Sequence, residues 1–210
     1  MFIKKPLTAG TAYCVRLNMK IVVTGFRPFL GATTNPSEDL ARELAKLFPE
    51  VHSHVLPVEF GHSFELLRLY LQHDKPDYII MLGQAAGRTR VCFEKIALNW
   101  VQSEHPDEAG RHLAAGAILD AHPLALMTKF PVDKIVSAIK EENLLAEVSF
   151  SAGAFVCNDL YFRVLAEYGD LKAVFVHLPL VKDLEFEIQL KILKKALSEL
   201  LLAQSDKTPE

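Results

Sequence analysis

The chain has 210 residues, half of them hydrophobic, with 23 Lys+Arg against 26 Asp+Glu and a formal net charge of -3. That length suits one sizeable domain, the apolar content excludes wholesale disorder, and a balanced charge without a basic run argues against a nucleic-acid binder. The three cysteines, Cys14, Cys92 and Cys157, have no CxxC spacing. They supply neither a disulfide framework nor a structural zinc, so free thiols and a cytoplasmic setting are expected.

No apolar stretch reaches the ~20 residues a bilayer requires, so no membrane partner is expected. Residues 1–18 lack the continuous apolar core of a signal peptide and precede Met19, so they read as a disordered extension or a start-site artefact. Residues 19–203 form the predicted single domain, and 204–210 read as a polar tail. The first strand is predicted over 20–24. Asn35-Pro36-Ser37-Glu38 then predicts a helix start: Asn35 caps, Pro36 takes the first helical position and Glu38 closes a capping box. Leu40, Leu44 and Leu47 follow on one face. A strand over 51–58, a helix carrying Phe64, Leu67 and Leu71, and a strand over 78–82 come next. Residues 91–98 read as one strand and 102–116 as an exposed excursion. Val132, Ile135, Val136 and Ile139 mark a helix, 147–151 a short strand, and Leu160, Val164, Leu165 and Tyr168 another helix. A strand over 173–178 precedes the final helix, on which Phe186, Leu190, Leu193, Leu197 and Leu200 share a side. This alternation predicts an α/β fold, a three-layer α/β/α sandwich with a twisted, largely parallel central sheet.

In such sheets functional groups gather beyond the carboxyl ends of the strands. Cys157 stands there, opening a helix whose positive end would favour a thiolate. Its alternative is a small apolar residue at a helix start. His177 ends a strand and would exchange a proton near neutral pH, or be a satisfied core histidine. Strand alternation puts Cys92, Glu94, Ile96 and Leu98 on one mostly apolar face. A carboxylate there needs a partner, because an unpaired buried charge costs several kcal/mol. An imidazole would serve, as would Arg88 or Arg90, or water at a sheet edge. Together the three supply the nucleophile, base and orienting acid of cysteine acyl transfer. His52 and His54 share a strand face, but no third ligand accompanies them and no metal site is read. Residues 83–88 lack the lysine and glycine spacing of a phosphate loop.

Four blocks carry a resemblance. Gly25-Phe26-Arg27-Pro28-Phe29 with Asn35-Pro36-Ser37, residues 82–88 with Glu94 and Asn99, residues 151–158 and residues 175–179 resemble, in order and approximate spacing, type I pyroglutamyl peptidases (pyrrolidone-carboxylate peptidases). The resemblance implies an α/β/α cysteine exopeptidase that removes amino-terminal 5-oxoproline from small blocked peptides. It implies a triad of Cys157, His177 and Glu94, no metal or organic cofactor, and a homo-oligomer, a tetramer or dimer. It places Phe26 and Phe29 around the lactam ring, Gln84 near the lactam amide, and Phe155 and Val156 in the pocket wall. Arg88 and Glu104 fall just outside the reacting groups. Glu104 and His105 stand where many members carry an arginine, which bears on substrate preference and efficiency. A cysteine amidase with altered acyl specificity, or a catalytically silent pyroglutamyl-binding homologue, is the alternative.

Overall fold

A computed structural model describes residues 19–205. The extension at 1–18 and residues 206–210 lie outside the described residues. Helix α5 runs Phe186–Ser205, so the helix continues two residues beyond the predicted domain end at 203.

Six strands make the central sheet: β1 (Ile21–Phe26), β2 (Val51–Leu56), β3 (Tyr78–Gln84), β4 (Val91–Glu94), β7 (Ala146–Ser149) and β8 (Lys172–Leu178). Their order is β2-β1-β3-β8-β4-β7. All neighbours are parallel except β4 and β8, which run antiparallel. Helices α1 (Pro36–Leu47), α3 (Val132–Glu141) and α5 cover one face, where Ile21, Val23, Ile80, Leu82, Val174 and Val176 meet Leu40, Leu44, Ile135 and Leu193. Helices α2 (His62–Asp74) and α4 (Val156–Glu167) cover the other, where Val22, Ile79, Met81 and Phe175 meet Phe64, Leu67, Leu160 and Tyr161. Strands buried on both sides read as near-continuous apolar runs, which is why β1, β3 and β8 were conspicuous in the sequence. Burying each Leu, Ile or Phe of these two cores contributes about 1.5–3 kcal/mol before conformational entropy is subtracted. The fold is thus the expected α/β sandwich, and no helix among the described residues is long and apolar enough to cross a membrane.

Local differences have physical causes. Asn35 Oδ1 accepts from Ser37 N at 3.1 Å and caps α1 as expected, but Glu38 pairs with Arg42 one turn on rather than closing a capping box. Leu47, expected on the core face, is exposed at the last turn. The strand expected over 91–98 is broken at Lys95. β4 ends at Glu94, and β5 (Ile96–Leu98) leaves to pair with β6 (Ala125–Met127) in a separate two-stranded sheet. Ile96 and Leu98 therefore do not extend the face of Cys92 and Glu94. The excursion at 102–116 is mostly exposed, as expected, and it is anchored to the domain. Asp107 is buried and accepts from Phe60 N, Ala109 N and Arg111 N.

Close approach at Gly25 sets the first wall of the site. A Cβ there would lie 2.2 Å from Ser37 O, so only glycine lets α1 press against β1. Ser37 Oγ then accepts from Phe26 N, and Asn35 Nδ2 donates to Arg27 O, which fixes where Phe26 leaves the sheet.

Candidate active site

At the carboxyl ends of β1, β3 and β8 a cavity of about 720 Å³ opens to solvent. Phe26, Phe29, Val58, Gln84, Gln102, Glu104, Ala154, Phe155, Cys157 and Leu180 contribute to its wall. The aromatic part is braced by ring contacts: Phe29 to Phe155 at 5.9 Å, and Phe60 edge-on to Phe155 at 5.1 Å. Of the predicted pocket residues, Phe26, Phe29, Gln84 and Phe155 line this cavity, and so does Glu104. Val156 does not. It is the first residue of α4 and is fully buried in the core beneath, because consecutive helical residues point about 100° apart and Cys157 takes the cavity side. Ala154 and Gln102 line the cavity without having been predicted to. The signal available was the neighbourhood of Cys157 and the polar turn after Val101.

Cys157 occupies the second position of α4, after Phe155 as N-cap, where no side chain caps the helix. Asn158 holds this end in place: its Nδ2 donates to Leu98 O and Trp100 O, and its Oδ1 accepts from Leu98 N. The sulfur rests against Gly83. A Cβ built on that glycine would be 3.2 Å from Sγ and 2.7 Å from the Phe175 ring. Burial pushes the Cys157 thiol up to about 12, and the Glu94 charge adds to this, while its own backbone N–H pulls weakly the other way.

His177 is the register partner of Gly83 across β3 and β8. It also sits opposite Cys92 of β4, while Glu94 sits opposite Phe175. Alternation puts Cys92, Glu94, Phe175 and His177 on one face, and the diagonal between Glu94 and His177 brings Oε1 within 2.8 Å of Nδ1. Glu94 is fully buried and His177 nearly so. A carboxylate only accepts, so Nδ1 carries the hydrogen and Nε2 is left as the basic nitrogen. Arg88, rather than Arg90, is the cation beside this pair. Its guanidinium lies 3.7 Å from Glu94 Oε1 and 3.9 Å from Glu147, and donates to Ser151 O. Glu94 Oε2 has no hydrogen-bond partner among the described residues. The structure thus brings His177 onto Glu94 and seats Cys157 beside Gly83, the strand neighbour of His177. Cys157 and His177 make no hydrogen bond to each other. Cys92, the other described thiol, is buried away from the cavity and engaged with Arg90 O and Glu147. His52 and His54 both contact Asp74, and no group of His, Cys, Asp and Glu suited to hold a metal ion occurs among the described residues.

A cleft at the strand ends of an α/β/α sandwich is where such folds place their ligands, and comparison with known proteins supplies the class, the peptidases. The sequence model of the family described as pyroglutamyl peptidase matches residues 19–192, and the chain belongs to that family. A pyrrolidone-carboxylate peptidase of Chromobacterium violaceum is 37% identical over 166 residues, 78% of this chain and 79% of its own length. The crystal structure of pyroglutamyl peptidase I of Bacillus amyloliquefaciens superposes with a TM-score of 0.80 at 32% identity, covering 85% of this chain and 95% of that one. The pyrrolidone carboxyl peptidase of Fervidobacterium islandicum gives a TM-score of 0.81 at 31% identity, over 87% and 98% of the two chains. Fold, family and enzyme class agree with the resemblance read in the sequence.

Proposed function

We propose that the protein is a cysteine exopeptidase that removes amino-terminal pyroglutamate from peptides, with Cys157 as nucleophile, His177 as proton carrier and Glu94 as the group that orients it. The carrying observation is that one cavity wall seats Cys157 against Gly83 while the neighbouring strand holds His177 on a buried carboxylate at 2.8 Å. Family membership supports the reading.

The chemistry follows from the residues. The pyroglutamyl lactam is small, flat and uncharged, and suits an apolar slot between Phe26, Phe29 and Phe155 with Gln84 offering an amide to its polar edge. A thiol becomes a strong nucleophile only on losing its proton, so attack requires a base at that moment. Nε2 of His177 takes the proton as sulfur bonds to the acyl carbon, and uncapped N–H groups at the start of α4 face the developing oxyanion. Glu94 stabilises the resulting imidazolium. The carbon–nitrogen bond breaks as Nε2 returns its proton to the leaving amine. Water, deprotonated by the same imidazole, then bonds to the acyl carbon; the carbon–sulfur bond breaks as Nε2 returns that proton to the sulfur, which frees 5-oxoproline and restores the thiol. Catalytic hydrogen bonds are often long without substrate, so the Cys157 to His177 contact is expected to form on binding.

Hydrolysis of a pyroglutamyl arylamide tests this. Wild type is expected to turn over, and Cys157→Ser to lose about 10³-fold or more in kcat/KM. The missing Cys157 to His177 hydrogen bond favours one second reading, a pyroglutamyl-binding homologue without turnover. Stoichiometric alkylation of Cys157 with no hydrolysis by wild type would favour it.

A further inference from the structure

The cavity is far larger than a five-membered lactam, and its wall beyond the aromatic slot is charged in one sense. Among the described residues lining it, Glu104 is the only carboxylate, His105 the only imidazole, and no lysine or arginine takes part. Glu104 has no ion-pair partner among the described residues, and Arg111 and Arg88 are held elsewhere, on Asp107 and on the Glu94 side.

The segment carrying Glu104 is fixed at both ends. On one side Gln102 N donates to Ala154 O at 2.9 Å, three residues before Cys157. On the other, Val58 N donates to Glu108 Oε2 and Phe60 N to buried Asp107 Oδ2. Glu104 and His105 therefore span the cavity mouth between two staples, one of which belongs to the nucleophile's own segment.

Resting on the function proposed above, we infer that Glu104 is a specificity-determining residue for the leaving part of the substrate, and selects peptides whose second residue is cationic. An acyl group bonded to Cys157 fills the aromatic slot, so the residue after the scissile bond lies in the remaining volume. Lysine or arginine there meets an unpaired carboxylate, and aspartate or glutamate meets like charge. The group is solvent-exposed, so the effect is modest and screened by salt.

The test measures kcat/KM for pyroglutamyl-alanyl, -lysyl and -glutamyl peptides of equal length, at low and high salt. The enzymes are wild type, Glu104→Gln, Glu104→Lys and, as a distant control, Glu141→Gln at the end of α3 in the opposite layer. Wild type is expected to prefer the lysyl over the glutamyl peptide by about three- to fivefold at low salt. The ratio should fall toward one in Glu104→Gln and at high salt, and invert in Glu104→Lys. A ratio unmoved by Glu104→Gln, or moved as much by Glu141→Gln, would overturn the inference and leave the proposed function standing. Failure of wild type to cleave any of the three peptides would overturn both.

Discussion

Two imidazole–carboxylate clusters occur among the described residues, and one of them lies beside the cavity and the Cys157 thiol. In the first, Glu94 holds His177 at 2.8 Å inside the sheet, with one carboxylate oxygen left without a hydrogen bond. In the second, on edge strand β2 and the end of α2, Asp74 contacts three imidazoles: His54 at 2.7 Å, His73 at 3.0 Å and His52 at 3.1 Å. Both carboxylates are buried. The Asp74 cluster is saturated, both oxygens being engaged, and its histidines are partly or largely exposed. It meets neither the cavity nor a described cysteine. An imidazole on a carboxylate is thus a common structural device, and what sets the Glu94 pair apart is the thiol and the cleft beside it.

The same chemical change, carboxylate to amide, separates the two. Glu94→Gln keeps shape and removes the charge that, on the mechanism proposed above, fixes the His177 tautomer and stabilises the imidazolium. It is expected to lower kcat/KM on a pyroglutamyl arylamide by about 10²–10⁴-fold, with little loss of thermal stability. Activity within threefold of wild type would assign Glu94 to structure alone.

Gly83→Ala sharpens the contrast next, because it strikes the meeting point of thiol, imidazole strand and core. The added methyl would sit 2.7 Å from Cζ of Phe175, a fully buried ring hemmed by Phe26, Tyr161 and His177, and 3.2 Å from Cys157 Sγ. The ring has little room to yield. Overpacking of this kind costs about 1–3 kcal/mol, and displacing the sulfur should cost about 10–100-fold in kcat/KM. Urea denaturation with steady-state kinetics reads both. A variant with full activity and full stability would mean that the sulfur is not confined where the structure puts it.

How much of this was legible in the sequence depended on which physical rule was in force. Both-face burial made β1, β3 and β8 plain, and the turn–helix boundary exposed Cys157. Glu94 was found through alternation along a strand taken to run to residue 98. The strand stops at Glu94, and the inference survived because Cys92 and Glu94 still share a face. The partner that lies opposite on β8 follows from the antiparallel step in an otherwise parallel sheet, which no local pattern encodes. Val156 is buried while its neighbours Phe155 and Cys157 line the cavity, and at a helix start one position is the difference between cavity and core. β6 went unread because it is only three residues long and apolar throughout, so its outward Ala125 and Met127 are not marked by polar side chains. The anchoring of residues 102–108 depends on Asp107 reaching backbone 47 residues away, at Phe60.

The smallest expected effect completes the comparison. Burial pushes the Asp74 carboxyl up, but the hydrogen bonds from His54, His73 and His52 outweigh it and hold the group well below the ordinary carboxylate range. A pKa depressed on folding means that stabilisation is present above the unfolded value, about 4, and is lost as pH falls through the folded value. Asp74→Asn should therefore cost about 1–2 kcal/mol at pH 7 and leave kcat/KM within twofold. The stability difference from wild type, read by urea titration, should begin to shrink below about pH 4. A difference that is constant from pH 7 to pH 3 would mean that packing, not the charge, holds this corner together. A large loss of activity at unchanged stability would instead bring the edge cluster into the chemistry and erase the distinction between the two.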